Sequence, residues 1–147
     1  MKKMMLICGT LFLLSTGIFA QNSEKITELI NTEKTTYGQA AYLTAVFTGA
    51  VNESATEEES LKVLQAEKLV SENKTADDYI TLSELSYIAL SVSGKKGGLF
   101  YTLFPGPRYA LRELKAKGVL PPNADPSATV TGRDTIAVFN GCLSDAQ

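Results

Sequence analysis

Three apolar runs along the chain begin just behind the same kind of polar signal. The signals are Thr36-Tyr37-Gly38-Gln39, Thr81-Leu82-Ser83-Glu84 and Thr131-Gly132-Arg133-Asp134. Each places a Thr where its hydroxyl caps a helix and an acceptor side chain three residues later. The first two read as capping boxes. The third carries Asp, a shorter acceptor that still suits the positive end of a helix. Behind them come Ala40-Ala41-Tyr42-Leu43, Leu85-Ser86-Tyr87-Ile88 and Thr135-Ile136-Ala137-Val138. This spacing predicts helices over 37–50, 82–92 and 132–141.

The last two signals sit inside a longer repeat. Residues 61–90 shifted by fifty positions overlay 111–140 without a gap. Leu61 falls on Leu111, Leu64 on Leu114, Ala66 on Ala116, Asn73 on Asn123 and Thr81 on Thr131. Such a period sets the architecture before any single residue does. Each unit reads as helix, apolar pair, polar loop, β-branched residue, capping Thr and helix. The first helix ends near Lys68 or Gly118, and glycine suits a left-handed C-cap. The loops 71–79 and 121–129 are rich in Asn, Asp, Ser, Thr and Pro, which stop helices.

Further helices are expected over 24–30, with Ile26, Leu29 and Ile30 on one side, and over 57–68. A short aromatic helix is expected over 99–104, where Leu99, Phe100, Leu103 and Phe104 share one face. Pro105-Gly106-Pro107 ends it, and Pro107 opens the next helix, 107–117. No segment alternates as a strand; short extended bridges are expected only at Ile80 and Val130. The expected fold class is all-α, with pseudo-repeats of short helices joined by polar loops. The units are a partial repeat over 24–50, repeats over 56–92 and 99–142, and a Gly/Lys linker over 93–98.

The N-terminus changes the picture of location. Lys2-Lys3, an apolar run over 4–19 and Ala20 before polar Gln21 read as a secretory signal peptide over 1–20. A retained anchor is the alternative. With cleavage after Ala20, a single helical domain over 21–147 is expected in the periplasm or cell envelope, without a membrane span. The formal charge of −2 then becomes −4, because the two lysines leave with no acid. No strong basic field remains, which argues against nucleic acid as a partner. Cys142 alone survives processing, so it reads as a small buried residue on the last helix.

Candidate chemistry is sparse. The chain holds no His, which removes the commonest general base and metal ligand. Glu57-Glu58-Glu59 and Asp77-Asp78 read as a helix N-terminus and a turn, so no metal and no cofactor are assigned. The chain is read as not an enzyme, a small secreted hydrolase being the weakest reading. Ser93-Gly94-Lys95-Lys96-Gly97-Gly98 lacks the order of a phosphate loop and reads as a mobile linker or an anion-contacting loop. Tyr101, Tyr109, Phe100 and Phe104 read first as core and second as a sugar-stacking surface. Pro105-Gly106-Pro107-Arg108-Tyr109 reads as a rigid corner, or as a cation and an aromatic poised for a saccharide carboxylate.

Lys117-Gly118-Val119-Leu120, Pro122-Asn123-Ala124-Asp125-Pro126 and Val130-Thr131-Gly132-Arg133-Asp134 together resemble a repeat of the S-layer homology family. Leu69-Val70, Asn73 and Ile80-Thr81-Leu82-Ser83-Glu84 resemble a worn second copy. The family's Arg directly follows its Thr, whereas Tyr37, Leu82 and Gly132 stand there here, with Arg133 one position late. The resemblance implies a non-catalytic module that attaches to cell-wall polymers, including saccharides linked to peptidoglycan. On that reading Arg133, Arg108, Lys95 and Lys96 pair with acidic groups of the polymer, Tyr109 stacks on a ring and Thr131 joins the site. The alternative keeps the fold as a periplasmic scaffold that docks an envelope protein.

Overall fold

The computed structural model describes the backbone of residues 16–144 and the side chains of residues 23–144. Most of the expected signal peptide, including Lys2, Lys3 and Cys8, lies outside the described residues. The described helices are α1 (Thr16–Asn31), α2 (Tyr37–Phe47), α3 (Glu57–Ala66), α4 (Leu82–Val92), α5 (Leu99–Leu103), α6 (Pro107–Ala116) and α7 (Gly132–Ser144). The chain is all-α. None of these helices is long and apolar enough to cross a membrane.

The predicted caps form. Thr36 and Gln39 exchange hydrogen bonds of 3.2 Å in both directions. Thr81 pairs with Glu84 in the same way. In the Asp version, the Asp134 N–H donates to Thr131 Oγ1 at 3.1 Å. A fourth box, Thr56 with Glu59, went unrecognised in the sequence because Glu57-Glu58-Glu59 reads as a plain acidic helix start.

The first helices end in matching turns. Leu64 C=O accepts the N–H groups of Leu69 and Val70, and Leu114 C=O accepts those of Val119 and Leu120. The left-handed residue in each turn is Lys68 (φ 60°) or Gly118 (φ 73°).

Helix pairing follows a cycle: α2 packs on α3, α4 on α6 and α7 on α1. The helix behind one cap thus meets a helix of the next unit. The backbone repeats that order. Helix N-termini carry N–H groups with no intrahelical partner, and here the neighbouring loop accepts them. Tyr37 and Gly38 donate to Asp78 and Ala76, and Leu82 and Ser83 to Ala128 and Pro126. Gly132 closes the ring by donating to Thr32 C=O at 2.9 Å.

At the centre lie three buried residues, Thr35, Ile80 and Val130. The Ile80 N–H donates to Thr35 C=O, and the Thr35 N–H to Val130 C=O. The extended bridges pair Thr36 with Tyr79 and Thr81 with Thr129, adjacent to the expected positions. Leu61, Leu64, Leu85, Ile88, Leu111 and Leu114 fill the core around this ring.

Two expectations about burial fail. α5 does not bury its apolar face: Leu99, Phe100, Leu103 and Phe104 are 58–70% exposed. The connection from α2 to α3 spans residues 48–56, whereas that from α4 to α6 spans 93–106. The excess is five residues long, as is α5, so α5 is an insertion resting on α6 outside the repeated framework. Among the described side chains of α1, Leu29 is buried while Ile26 and Ile30 face outward. α2 also stops at Phe47, short of 50, because Gly49 takes a left-handed conformation (φ 71°).

Candidate functional site

Packing one unit on the next leaves a groove at each of two junctions. The first encloses about 450 Å³ and is lined in part by Tyr37 of α2, Gln65 of α3, Lys68 and Glu72 of the following turn, and Glu84 and Tyr87 of α4. The second encloses about 330 Å³ at the corresponding place. Its Leu82 corresponds to Tyr37, its Val119-Leu120 to Leu69-Val70, its Asp134 to Glu84 and its Ala137 to Tyr87. Shape is therefore repeated while chemistry is not. The second groove is chiefly apolar, and the first carries two phenols and several charges.

Local hydrogen bonds hold the first groove in shape. Gln65 Nε2 donates to the Ser71 and Lys74 carbonyls at 3.2 and 3.0 Å, fixing the rim. Glu84 accepts the Thr81 hydroxyl at 2.6 Å and pairs with Lys74 at 3.7 Å. Lys74 also lies 5.1 Å from the centre of the Tyr37 ring. Burial would push the Glu84 carboxyl up. The hydrogen bonds from Thr81 and Tyr37 and the Lys74 charge outweigh it and hold Glu84 below the ordinary carboxylate value.

Tyr37 is the unusual member. Its ring is buried, and its hydroxyl is shielded from solvent beside the Glu84 carboxylate. Burial first, then the neighbouring Glu84 and Asp78, push its pKa up, so the phenol keeps its proton.

The six residues proposed from sequence lie elsewhere. Lys95 and Lys96 are in the loop between α4 and α5, Arg108 and Tyr109 in the first turn of α6, and Thr131 and Arg133 at the start of α7. None lines either of the two grooves. The Thr131 hydroxyl is engaged with Asp134 as both donor and acceptor. Lys95 Nζ is buried without a hydrogen-bond partner, whereas Lys96, Arg108 and Arg133 are exposed. Tyr109 stacks between Phe100 and Phe104, with centroids 6.3 and 6.1 Å away. Tyr101 turns the other way, with its hydroxyl 3.0 Å from that of Ser91.

Tyr37, Lys68 and Glu84 escaped the sequence reading because they come from three elements. The available signal was the alignment of units, which places Tyr37 with Leu82 and Glu84 with Asp134. Among the described residues no three His, Cys, Asp or Glu side chains converge to hold a metal ion. Comparison of the chain with protein-family models, curated proteins and solved structures gives no match in any of the three.

Proposed function

We propose that this chain is a non-catalytic, exported envelope module that binds a saccharide of the cell wall in the groove between α2, α3 and α4. The observation that carries the reading is a groove whose lining brings an exposed cation and acid, Lys68 and Glu72, beside the aromatic Tyr87 and the Glu84 carboxylate. A sugar presents hydroxyls, a hydrophobic ring face and often an acid. The partly exposed Tyr87 stacks on the ring, carboxylates accept from hydroxyls and Lys68 meets an acidic substituent. The export signal and the resemblance to S-layer homology repeats agree with this ligand class.

The test is co-sedimentation of the protein with purified cell-wall sacculi at low and high salt. Saturable, salt-sensitive binding is expected, weakened about tenfold by Lys68→Gln, which removes one charge-assisted hydrogen bond. Absence of binding by a folded, helical sample would overturn the saccharide reading. Loss on replacing Arg108 and Arg133 together, with Lys68→Gln unaffected, would move the ligand to the exposed cations.

A second reading keeps the fold as a scaffold for an envelope protein. The apolar second groove, lined by Leu82, Val119, Leu120 and Val138, favours it. Crosslinking of a partner that competes with Val119→Lys but ignores sacculi would support that alternative.

A further inference from the structure

The inserted helix α5 is held to the core by Tyr101 alone among its large side chains, through Tyr87 and Ser91. The repeated framework connects α2 to α3 without an equivalent. Yet α5 displays four large apolar side chains: Leu99, Phe100, Leu103 and Phe104 are 70, 60, 58 and 60% exposed. Phe100 and Phe104 flank Tyr109, so these groups form one continuous patch with the start of α6. The small cavity beneath Phe100 and Tyr109 encloses only about 170 Å³, so the patch is a projecting tip without a cleft to receive a shaped partner.

The charge around the tip is segregated. The chain as a whole holds 14 basic and 16 acidic side chains. Residues 94–118 hold Lys95, Lys96, Arg108, Arg112, Lys115 and Lys117 against the single acid Glu113. Lys117 is paired with that acid at 3.7 Å. Lys96, Arg108 and Arg112 are exposed, and the Arg112 guanidinium lies 6.0 Å from the centre of the Phe100 ring. Glycines at 94, 97 and 98 and Pro105-Gly106-Pro107 flank the tip.

We propose that the α5 tip inserts into the surface of a bilayer carrying anionic headgroups. Phe and Leu side chains enter the boundary between headgroups and acyl chains, while the basic collar meets the phosphates. Such a contact requires an apolar projection and a ring of cations and no shape complementarity, which is what this segment offers. The long Lys and Arg side chains reach the headgroups while the apolar tip goes deeper. This inference is independent of the saccharide reading, because it uses neither groove.

The chain contains no Trp, so Phe104→Trp places a unique fluorescent reporter at the tip. The full chain bearing this substitution is mixed with phosphatidylcholine vesicles, with and without phosphatidylglycerol, and with brominated lipids as quenchers. A blue shift and quenching are expected on the anionic vesicles, reversed by high salt. Replacing Arg108 and Arg112 by Gln should raise the lipid concentration for half-maximal quenching by roughly fivefold per residue.

A control reporter, Phe47→Trp, sits at the exposed end of α2 and should stay unquenched even when another segment holds the chain on the vesicle. An unshifted, unquenched Trp at position 104 would overturn the proposal. Equal insertion into neutral vesicles would also overturn it. A shift that grows with protein concentration in the absence of lipid would assign the face to a second copy of the chain and overturn it too.

Discussion

Gly132 at the start of α7 lies directly against the carbonyl of Leu29 in α1. A Cβ built at position 132 would fall inside the van der Waals shell of that oxygen. The same glycine donates its N–H to Thr32, so this is the point where the last unit closes on the first. Tyr37 and Leu82 at the corresponding positions carry full side chains, so the restriction belongs to this junction alone. Gly132→Ala drives the new Cβ into the Leu29 backbone carbonyl, which cannot be relieved by a rotamer change. A loss of roughly 2–4 kcal/mol is expected, measured by urea unfolding, and a small change would show that the α1–α7 junction is not closed in solution.

Thr35 and Thr135 place their hydroxyl oxygens 3.0 Å apart in the buried centre. Thr135 also donates to Thr131 C=O in one of the alternative proton arrangements. Thr135→Val keeps the shape and leaves the Thr35 hydroxyl buried with its partner removed. The expected cost is about 1–3 kcal/mol. The double change Thr35→Val with Thr135→Val should recover part of it, because neither polar group is then left unpaired. Equal stability of all three proteins would remove the hydrogen bond from the account.

Lys68 holds a left-handed conformation (φ 60°) in the turn where Gly118 stands fifty positions later. A side chain there strains against its own backbone, and glycine does not. Lys68→Gly should stabilise the chain by roughly 0.5–1 kcal/mol in thermal unfolding. It should also weaken sacculus binding if Lys68 meets an acidic sugar. Those opposite signs separate a ligand contact from a folding defect.

The caps are structural and individually replaceable. Thr131→Ala should cost about 0.5–2 kcal/mol, and Thr56→Ala should fall in the same range because its box with Glu59 is equally complete. Melting temperatures unchanged within error would count against these assignments.

Acid should weaken the first groove. The folded Glu84 carboxyl sits below its ordinary value, so its contribution is present above the unfolded pKa and is lost as pH falls through the folded one. Glu57 behaves oppositely: burial and then the charges of Glu28 and Glu58 raise it, so its contribution is present at low pH and lost as pH rises through the folded pKa. Glu84→Gln should therefore lower the urea midpoint at pH 7, and the difference from the parent should shrink as the pH is lowered through the acid range. A constant difference across that range would mean that Glu84 acts through packing and not through its charge.

Much of the framework was legible because its signals are local. Thr36, Thr81 and Thr131 bond groups three residues away, and α4 begins and ends at the expected residues. α5 misled because helical spacing records that four apolar side chains share a face, without recording whether anything covers that face. The groove was missed because Tyr37, Lys68 and Glu84 are far apart in the chain, and the cation-and-aromatic pattern of Arg108 and Tyr109 drew attention to a different surface.

The sequence by itself determined where the helices behind the capping threonines start and that a fifty-residue unit recurs, since capping depends on neighbours within one helical turn. Tertiary structure decided the rest. It closed the ring through Gly132 and Leu29, left α5 uncovered and brought a buried phenol beside a carboxylate, because those outcomes depend on how the helix of one unit packs against the next.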